Sequence, residues 1–257
     1  MSSNGAALVT EHITMQFGGL VAVSQVSLSL ATGEITAIIG PNGAGKTTTF
    51  NMISGLLTPT KGRIVLFGSD ITGWAPHRIA ASGLARTFQN VQLFANLNVV
   101  ENVMASRYCR TRSTFVDAVL GLPRDRAERR RTRQVAEELL GWVGIAEKRF
   151  LMPSELPYGD QRRLEIARAL STEPRLIMLD EPSAGMVPGE ARGLMDLIGK
   201  LKERGLTILL IEHNMTVVMS ISDRIVVLNF GEKIAEGPPG EIRKNPDVIE
   251  AYLGAEA

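Results

Sequence analysis

The residues of this sequence with the clearest chemical purpose form a short loop, residues 40–47, with the sequence GPNGAGKT. Its glycines allow the backbone to turn so that successive amide groups point at a phosphate, and a helix that follows would add the positive end of its dipole. Lys46 can reach the β- and γ-phosphates of a nucleotide, and Thr47 can bind the Mg²⁺ ion that bridges them. With glycine at about 7% of residues, chance gives this spacing in roughly one such chain in a hundred. We therefore predict that ATP is bound by Gly40, Pro41, Asn42, Gly43, Ala44, Gly45, Lys46, Thr47 and Thr48.

Two adjacent acids, Asp180 and Glu181, follow the apolar run of residues 176–179. A buried parallel strand delivers such residues to its C-terminal end, where open parallel sheets bind their ligands. We predict that Asp180 lies in the Mg²⁺ shell. Glu181, pointing elsewhere, is predicted to be the general base that deprotonates the attacking water. Paired acids at a strand end also occur in solvated turns, so this prediction depends on the phosphate loop.

A histidine ends a second apolar run, residues 207–211, as His213 after Glu212. A single histidine is usually structural. Neighbouring parallel strands, however, end on the same edge of a sheet, which would place His213 beside Asp180. There it could donate to the γ-phosphate and help to orient the water, so we predict a catalytic role for it.

The period of the apolar residues predicts the elements that position these side chains. Alternation over residues 8–30 is typical of half-buried antiparallel strands, whereas the continuous run 35–39 is typical of a strand covered on both faces. Helices are predicted from about Thr47 to a stop near Gly55, over residues 93–140, and over residues 155–170. The runs 176–179 and 207–211, separated by a helical pattern, predict a parallel core sheet. The fold class is therefore α/β, with an antiparallel β subdomain at the N-terminus and an inserted helical subdomain.

Composition limits the classes of function. The 257 residues are 44% hydrophobic and carry a formal net charge of +1, so the chain lacks the broad positive field of a nucleic-acid-coating protein. One cysteine can form neither an internal disulfide nor a multi-thiolate metal site. The first residues lack the pattern of a secretory signal, and no run of about 18 apolar residues could span a bilayer. If the chain works at a membrane, we expect partner subunits to supply the spans.

Taken together, these residues resemble the ATP-binding cassette (ABC) ATPases, a family of P-loop NTPases, from about residue 8 to residue 253. The resemblance implies that Phe17 stacks on adenine and that Gln89 contacts Mg²⁺ or water. It also implies a signature sequence at residues 156–160, through which one cassette contacts the ATP of a second. The residues that the resemblance adds to the nucleotide site are Phe17, Tyr158, Gly159, Asp160 and Gln161. The catalytic residues would then be Glu181, His213, Lys46 and Gln89, and the metal ligands Thr47, Gln89 and Asp180.

The resemblance also divides the chain. Residues 8–92 and 171–240 would form the catalytic core with the antiparallel β subdomain. Residues 93–170 would form the helical subdomain that carries the signature, and residues 241–257 a C-terminal tail.

The signature departs from the usual Leu-Ser-Gly-Gly-Gln. Pro157 has neither the serine hydroxyl nor an amide hydrogen, and Asp160 would place a carboxylate near a bound γ-phosphate, although it also suits the first turn of a helix. Val187 stands where the family usually has an aspartate. These departures predict that the signature of this chain contributes unequally to its partner's ATP site.

Within the family, three stretches resemble an ATPase subunit of branched-chain amino acid importers: residues 17–23, 85–94 and 245–254. The resemblance implies transmembrane permease subunits, a second and different cassette subunit, a periplasmic solute-binding protein, and a position on the cytoplasmic face of the inner membrane. Urea, amides or aromatic acids are alternative cargo. The remaining alternatives are a non-transport ABC ATPase of translation or DNA repair and a non-hydrolysing nucleotide binder. Nucleic acid is not expected as a partner, since no aromatic residues interleave the arginine-rich stretch 124–133.

Overall fold

Two sheets organise the molecule, which is described by a computed structural model over residues 5–89, 91–110 and 123–253. The first sheet is antiparallel. Its strands are β1 Ala6–Phe17, β2 Leu20–Ala31, β4 Lys61–Leu66 and β5 Ser69–Asp70, in the order β2-β1-β4-β5. The alternation of the apolar residues here places one face on the core, which confirms the predicted β subdomain.

The second sheet is the parallel core. Its strands are β3 Ile35–Ile39, β6 Leu84–Arg86, β7 Leu176–Asp180, β8 Thr207–Ile211, β9 Arg224–Asn229 and β10 Glu232–Gly237, in the order β10-β9-β3-β8-β7-β6. All pairs are parallel except β9 with β10. Every residue of β3, β7 and β8 is buried, as a strand covered on both faces requires. Because β3, β7 and β8 are neighbours and parallel, their carboxyl ends meet at one edge.

Helices pack on both faces of the core sheet. They are α1 Lys46–Ile53, α2 Pro76–Ala81, α3 Val99–Ser106, α4 Pro123–Val143, α5 Tyr158–Leu170, α6 Pro188–Glu203, α7 Met215–Ile221, α8 Pro239–Ile242 and α9 Pro246–Leu253. Short 3₁₀ turns lie at Arg107–Arg110, Ala146–Lys148 and Pro153–Glu155. Within the described residues, no helix is long and apolar enough to cross a bilayer.

The predicted helix over residues 93–140 is wrong at its start. Helix α3 begins only after Asn98, whose side chain accepts from the Glu101 amide at 3.0 Å while the Glu101 carboxylate accepts from the Asn98 amide at 3.0 Å. The buried amide of Asn102 then donates to the carbonyls of Phe94, Leu97 and Asn98, which keeps this segment a loop. Residues 111–122 of the predicted helix lie outside the described residues, as do residues 254–257 of the predicted tail.

The predicted helix over residues 155–170 starts three residues later than expected. A residue before a proline is restricted to extended conformations, and Leu156 accordingly has φ −85° and ψ 138°. Pro157 is the N-cap of α5, with φ −53° and ψ 153°, and makes no side-chain capping bond. The helix therefore opens at Tyr158, inside the predicted signature.

The helices α3, α4 and α5 do not have a core separate from that of the sheet. One buried cluster joins Val99, Leu140 and Leu164 of these helices to Ile177 and Leu210 of β7 and β8. Movement of the helical part against the sheet would therefore disturb buried contacts next to the carboxyl ends of the strands.

Candidate active site

The phosphate loop leaves β3 and enters α1 at the edge where the parallel strands end. Two of its positions require glycine. A Cβ at Gly40 would lie 2.0 Å from the Leu228 carbonyl oxygen, and one at Gly45, with φ 93°, would lie 2.7 Å from the Ala22 carbonyl oxygen. The backbones of the neighbouring strands thus pack directly against the loop and fix its conformation at the helix N-terminus. There the amide groups and the helix dipole favour an anion.

Lys46 is the buried cation of this loop. Its Nζ donates to the carbonyls of Gly40 at 2.7 Å and Pro41 at 2.8 Å. Burial lowers the pKa of Lys46, and the nearby carboxylates of Glu181 and Asp180 oppose that shift. The ammonium therefore lies within the electrostatic field of the predicted base, Glu181, and of the predicted metal ligand, Asp180. In the first turn of α1, Thr47 is exposed and Thr48 half-buried.

Asp180, the last residue of β7, is buried and paired with an arginine that sequence reasoning missed. Arg86 Nη2 lies 3.0 Å from Asp180 Oδ2, with side chains 7% and 4% exposed. Arg86 Nη1 also donates to Asn51 Oδ1 and Ser54 Oγ, each at 2.8 Å. Burial raises the pKa of Asp180, while the hydrogen bond from Arg86 counteracts it. The sequence offers one signal for Arg86, its place three residues before Gln89 in the stretch 85–94 that resembles the family.

Glu181 gathers two of the other predicted catalytic residues around one carboxylate. His213 Nε2 lies 2.8 Å from Glu181 Oε1, and Gln89 Nε2 donates to Glu181 Oε2 at 3.1 Å. The backbone of Glu181 has φ 47°, in the left-handed region, and its amide donates to the Ile211 carbonyl at 2.9 Å. This turn directs Glu181 away from Asp180, so the two acids have different partners.

The predicted signature residues lie at the start of α5, and their described contacts are with the helical region, the loop before α6 and the first turn of α6. The Tyr158 hydroxyl accepts from Arg162 at 2.8 Å, and a Cβ at Gly159 would lie 3.1 Å from the Glu190 carboxyl group. Gln161 Nε2 donates to the Leu156 carbonyl at 3.0 Å. Phe17, predicted to stack on adenine, ends β1 and is 46% exposed.

The Asp160 carboxylate, in the first turn of α5, has a cationic partner. The Lys148 ammonium, in the 3₁₀ turn Ala146–Lys148, forms an ion pair with the Asp160 carboxylate. A cation from an adjoining turn therefore offsets the charge of the carboxylate that the sequence places in the signature.

The side chains available for a metal all offer oxygen. The described part of the chain holds no group of three or more His, Cys, Asp or Glu residues suited to a metal ion. The oxygen donors at the strand edge are Thr47, Asp180 and the side-chain carbonyl of Gln89, whose Nε2 is turned to Glu181. Mg²⁺ is usually bound by few protein oxygens, and phosphate and water complete its shell. These residues therefore fit that ion.

Known proteins are similar to this one over nearly the whole chain. BraF of Pseudomonas aeruginosa, a high-affinity branched-chain amino acid transport ATP-binding protein, is 47% identical over 96% of this chain and 97% of its own. LivG of Escherichia coli K12, described in the same words, is 46% identical with the same coverage.

Solved structures of ATP-binding cassettes are also similar to this chain. The ADP conformation of an ATP-binding cassette matches with a TM-score of 0.85 and 33% identity, over 97% of this chain and 99% of that one. A cassette dimer with ADP and Pi matches with a TM-score of 0.76 and 25% identity, over 90% and 98%.

Two family profiles also match. That of a branched-chain amino acid ATP-binding cassette transporter covers residues 232–257. That of the ABC transporter covers residues 23–184, more than half of the chain. With the phosphate loop, the acid pair and the parallel sheet in the places described, the chain belongs to the ABC transporter family, as one of its nucleotide-binding ATPase cassettes.

Proposed function

We propose that this chain is the ATP-binding and ATP-hydrolysing subunit of an importer for branched-chain amino acids. The observation that carries the cargo is the match of residues 232–257, where α9 lies, to the C-terminal profile of branched-chain amino acid cassettes. The identity to BraF and LivG extends over nearly all of the chain and supports the same cargo.

In this proposal the reaction is an in-line attack by water on the γ-phosphate. The phosphate loop binds the β- and γ-phosphates through its amide groups, with Lys46 exchanging its two carbonyl partners for phosphate oxygens. Glu181 takes a proton from the water while the water oxygen forms its bond to phosphorus. The bond from phosphorus to the β-phosphate oxygen breaks, and ADP and phosphate are released.

Gln89 and His213 would orient the base in this reaction. Each lies within hydrogen-bond distance of a different oxygen of the Glu181 carboxylate, 3.1 Å from Gln89 Nε2 and 2.8 Å from His213 Nε2. Two partners fix the plane of the carboxylate, so its lone pairs can be aimed at one water. His213 can also donate to the γ-phosphate, whose charge grows during the reaction.

Thr47, Asp180 and Gln89 would hold Mg²⁺. The ion, when bound with the nucleotide, neutralises charge that develops on the β- and γ-oxygens. The Arg86 guanidinium lies 3.0 Å from Asp180 Oδ2 and would leave the other oxygen of this carboxylate for the ion.

A second cassette subunit and membrane permease subunits complete the proposed assembly. The described contacts of the signature residues at the start of α5 are with their own helical region and with Glu190 of α6, and none is with the phosphate loop. An ATP enclosed on both sides therefore needs the signature of a partner. A related cassette forms a dimer with ADP and Pi, which supports this pairing. We propose a heterodimer beneath two permease subunits on the cytoplasmic face of the membrane, supplied by a periplasmic binding protein.

The experiment is reconstitution of the chain with permease, cassette and binding-protein subunits of the same organism. We expect leucine, isoleucine or valine, carried by the binding protein, to stimulate ATP turnover in vesicles and to enter them. Stimulation by urea, amides or aromatic acids alone would contradict the cargo. Co-purification with ribosomes or DNA, without membrane subunits, would contradict transport.

A further inference from the structure

Two buried charged residues on α5 lie outside the site described above. The side chains of Arg162 and Glu165 are 2% and 7% exposed and form an ion pair of 3.0 Å, from Nη1 to Oε2. Burial raises the pKa of Glu165, and its hydrogen bonds with Phe88 and Arg162 only partly offset this effect. A buried ion pair adds little to stability compared with apolar residues of the same size, so its other contacts matter.

Those contacts are with the backbone just before and at Gln89. Glu165 Oε1 accepts from the Phe88 amide at 3.1 Å, and Arg162 Nη1 donates to the Phe88 carbonyl at 2.9 Å. Arg162 Nη2 donates to the carbonyl of Gln89 itself. Three backbone groups of this segment are therefore bonded to side chains of a helix more than 70 residues away in the sequence.

The same guanidinium also reaches the predicted signature. Arg162 Nη2 donates to the Tyr158 hydroxyl at 2.8 Å, one turn earlier on α5. In the other direction, the side chain of Gln89 donates to Glu181 at 3.1 Å. A continuous series of hydrogen bonds thus runs from Tyr158 through Arg162 and Gln89 to Glu181.

We propose that Arg162, supported by Glu165, is a positioning residue that sets the distance of the Gln89 amide from Glu181. Arg162 also couples this distance to the position of α5, so that a shift of α5 would move Gln89 relative to Glu181. The inference deepens the proposed ATPase function and rests on it.

The geometry of arginine is essential to this role. A guanidinium is a planar group whose several N–H donors have fixed directions, whereas a lysine ammonium is a single charged point on a flexible stem. Lysine at 162 would keep the charge next to Glu165 but could not bond both carbonyls and the tyrosine hydroxyl together. A displacement of about 1 Å in a positioned catalytic group costs up to about a hundredfold in rate.

The test measures ATP turnover and ATP affinity of the full chain, co-purified with its cassette and membrane partners. We expect Arg162→Lys to lower kcat about tenfold and to leave the Kd for ATP unchanged. The matched control is Arg163→Lys. Arg163 is the next residue on α5 and also donates to a backbone carbonyl, that of Val143 at 2.8 Å, but away from Gln89. This control should keep the wild-type kcat.

Two further variants separate positioning from loss of structure. Arg162→Lys should cause no additional loss when Gln89 is already alanine, because Arg162 acts through Gln89. Glu165→Gln, which can still accept from the Phe88 amide, should retain most of the activity. Equal losses in Arg162→Lys and Arg163→Lys, or a full additional loss in the Gln89→Ala background, would overturn the inference and leave the proposed function standing. A wild-type chain that does not hydrolyse ATP would overturn both.

Discussion

At the scale of single residues, Glu181 has an unusual position. Its backbone has φ 47°, a conformation that costs free energy for a non-glycine residue, and its carboxylate contacts both His213 and Gln89. The turn separates it from Asp180 although the two acids are adjacent in sequence. We propose that one acid accepts a proton and that the other binds a cation.

Replacing Glu181 with glutamine tests this division. We expect Glu181→Gln to lower ATP turnover by roughly 10² or more while ATP still binds, because an amide of the same shape cannot accept the proton of the water. Phosphate release and nucleotide-binding assays would measure the two effects. Glu203→Gln, an exposed acid at the end of α6, is the control and should behave as wild type. Turnover equal to wild type in Glu181→Gln would refute the assignment of the base.

Arg86 offers a test of stability at the same scale. Arg86→Met would leave the Asp180 carboxylate buried without a cation, and we expect the free energy of unfolding to fall by about 3 kcal/mol or more. Urea denaturation would measure it. The control is Arg63→Met, which removes an exposed pair with Glu11, 53% and 45% exposed, and should change stability little.

A second substitution makes the Arg86 prediction specific. Adding Asp180→Asn to Arg86→Met removes the unpaired charge, so much of the lost stability should return. A double variant as unstable as the single one would show that Arg86 stabilises the fold through Asn51 and Ser54 rather than through Asp180.

At the scale of elements, the start of α5 shows how neighbouring turns modify a motif. The 3₁₀ turn Ala146–Lys148 supplies the Lys148 ammonium that pairs with Asp160. A carboxylate in the first turn of a helix is favoured by the dipole, and its charge here is also paired. We infer that this pair makes an acidic signature compatible with an approaching γ-phosphate.

ATP-dependent pairing of the cassettes tests that inference. In a Glu181→Gln background, Lys148→Met should raise the Kd for ATP-dependent association roughly fivefold, as expected for one unscreened like charge near the phosphate. Adding Asp160→Asn should restore it. Sedimentation with ATP would measure the association. Arg133→Met, which breaks an exposed pair with Glu137 on α4, is the control, and an equal effect in that variant would refute a role for Lys148.

At the scale of the whole molecule, the phosphate loop and the predicted signature belong to different elements of the chain. The phosphate loop, Asp180, Glu181 and His213 lie at the carboxyl edge of the parallel sheet, whereas the signature lies at the start of α5. Because α5 and the sheet share one buried cluster, a movement of one region would be transmitted to the other. Two cassettes arranged head to tail would therefore join each loop to a partner's signature, as we propose for this protein.

The sequence by itself determined the fold class and the chemistry of the sheet edge. Apolar runs identified β3, β7 and β8, and parallel strands end on the same edge, so the phosphate loop, Glu181 and His213 could be placed together without coordinates. Apolar periodicity predicted the starts of helices less well where a capping residue sets the first turn. The starts of α3 and α5 were misplaced because Asn98 and Pro157 act through side-chain and backbone geometry that apolar periodicity does not contain.

Only the tertiary structure decided which charges meet. Arg86 and Asp180 are 94 residues apart in the sequence, and Arg162 and the Gln89 carbonyl are 73 apart. Lys148 reaches Asp160 across a turn between two helices. Periodicity predicts which face of an element is buried, but the partner of a buried charge depends on how distant elements pack, and that packing alone established the surroundings of Asp180, Asp160 and Gln89.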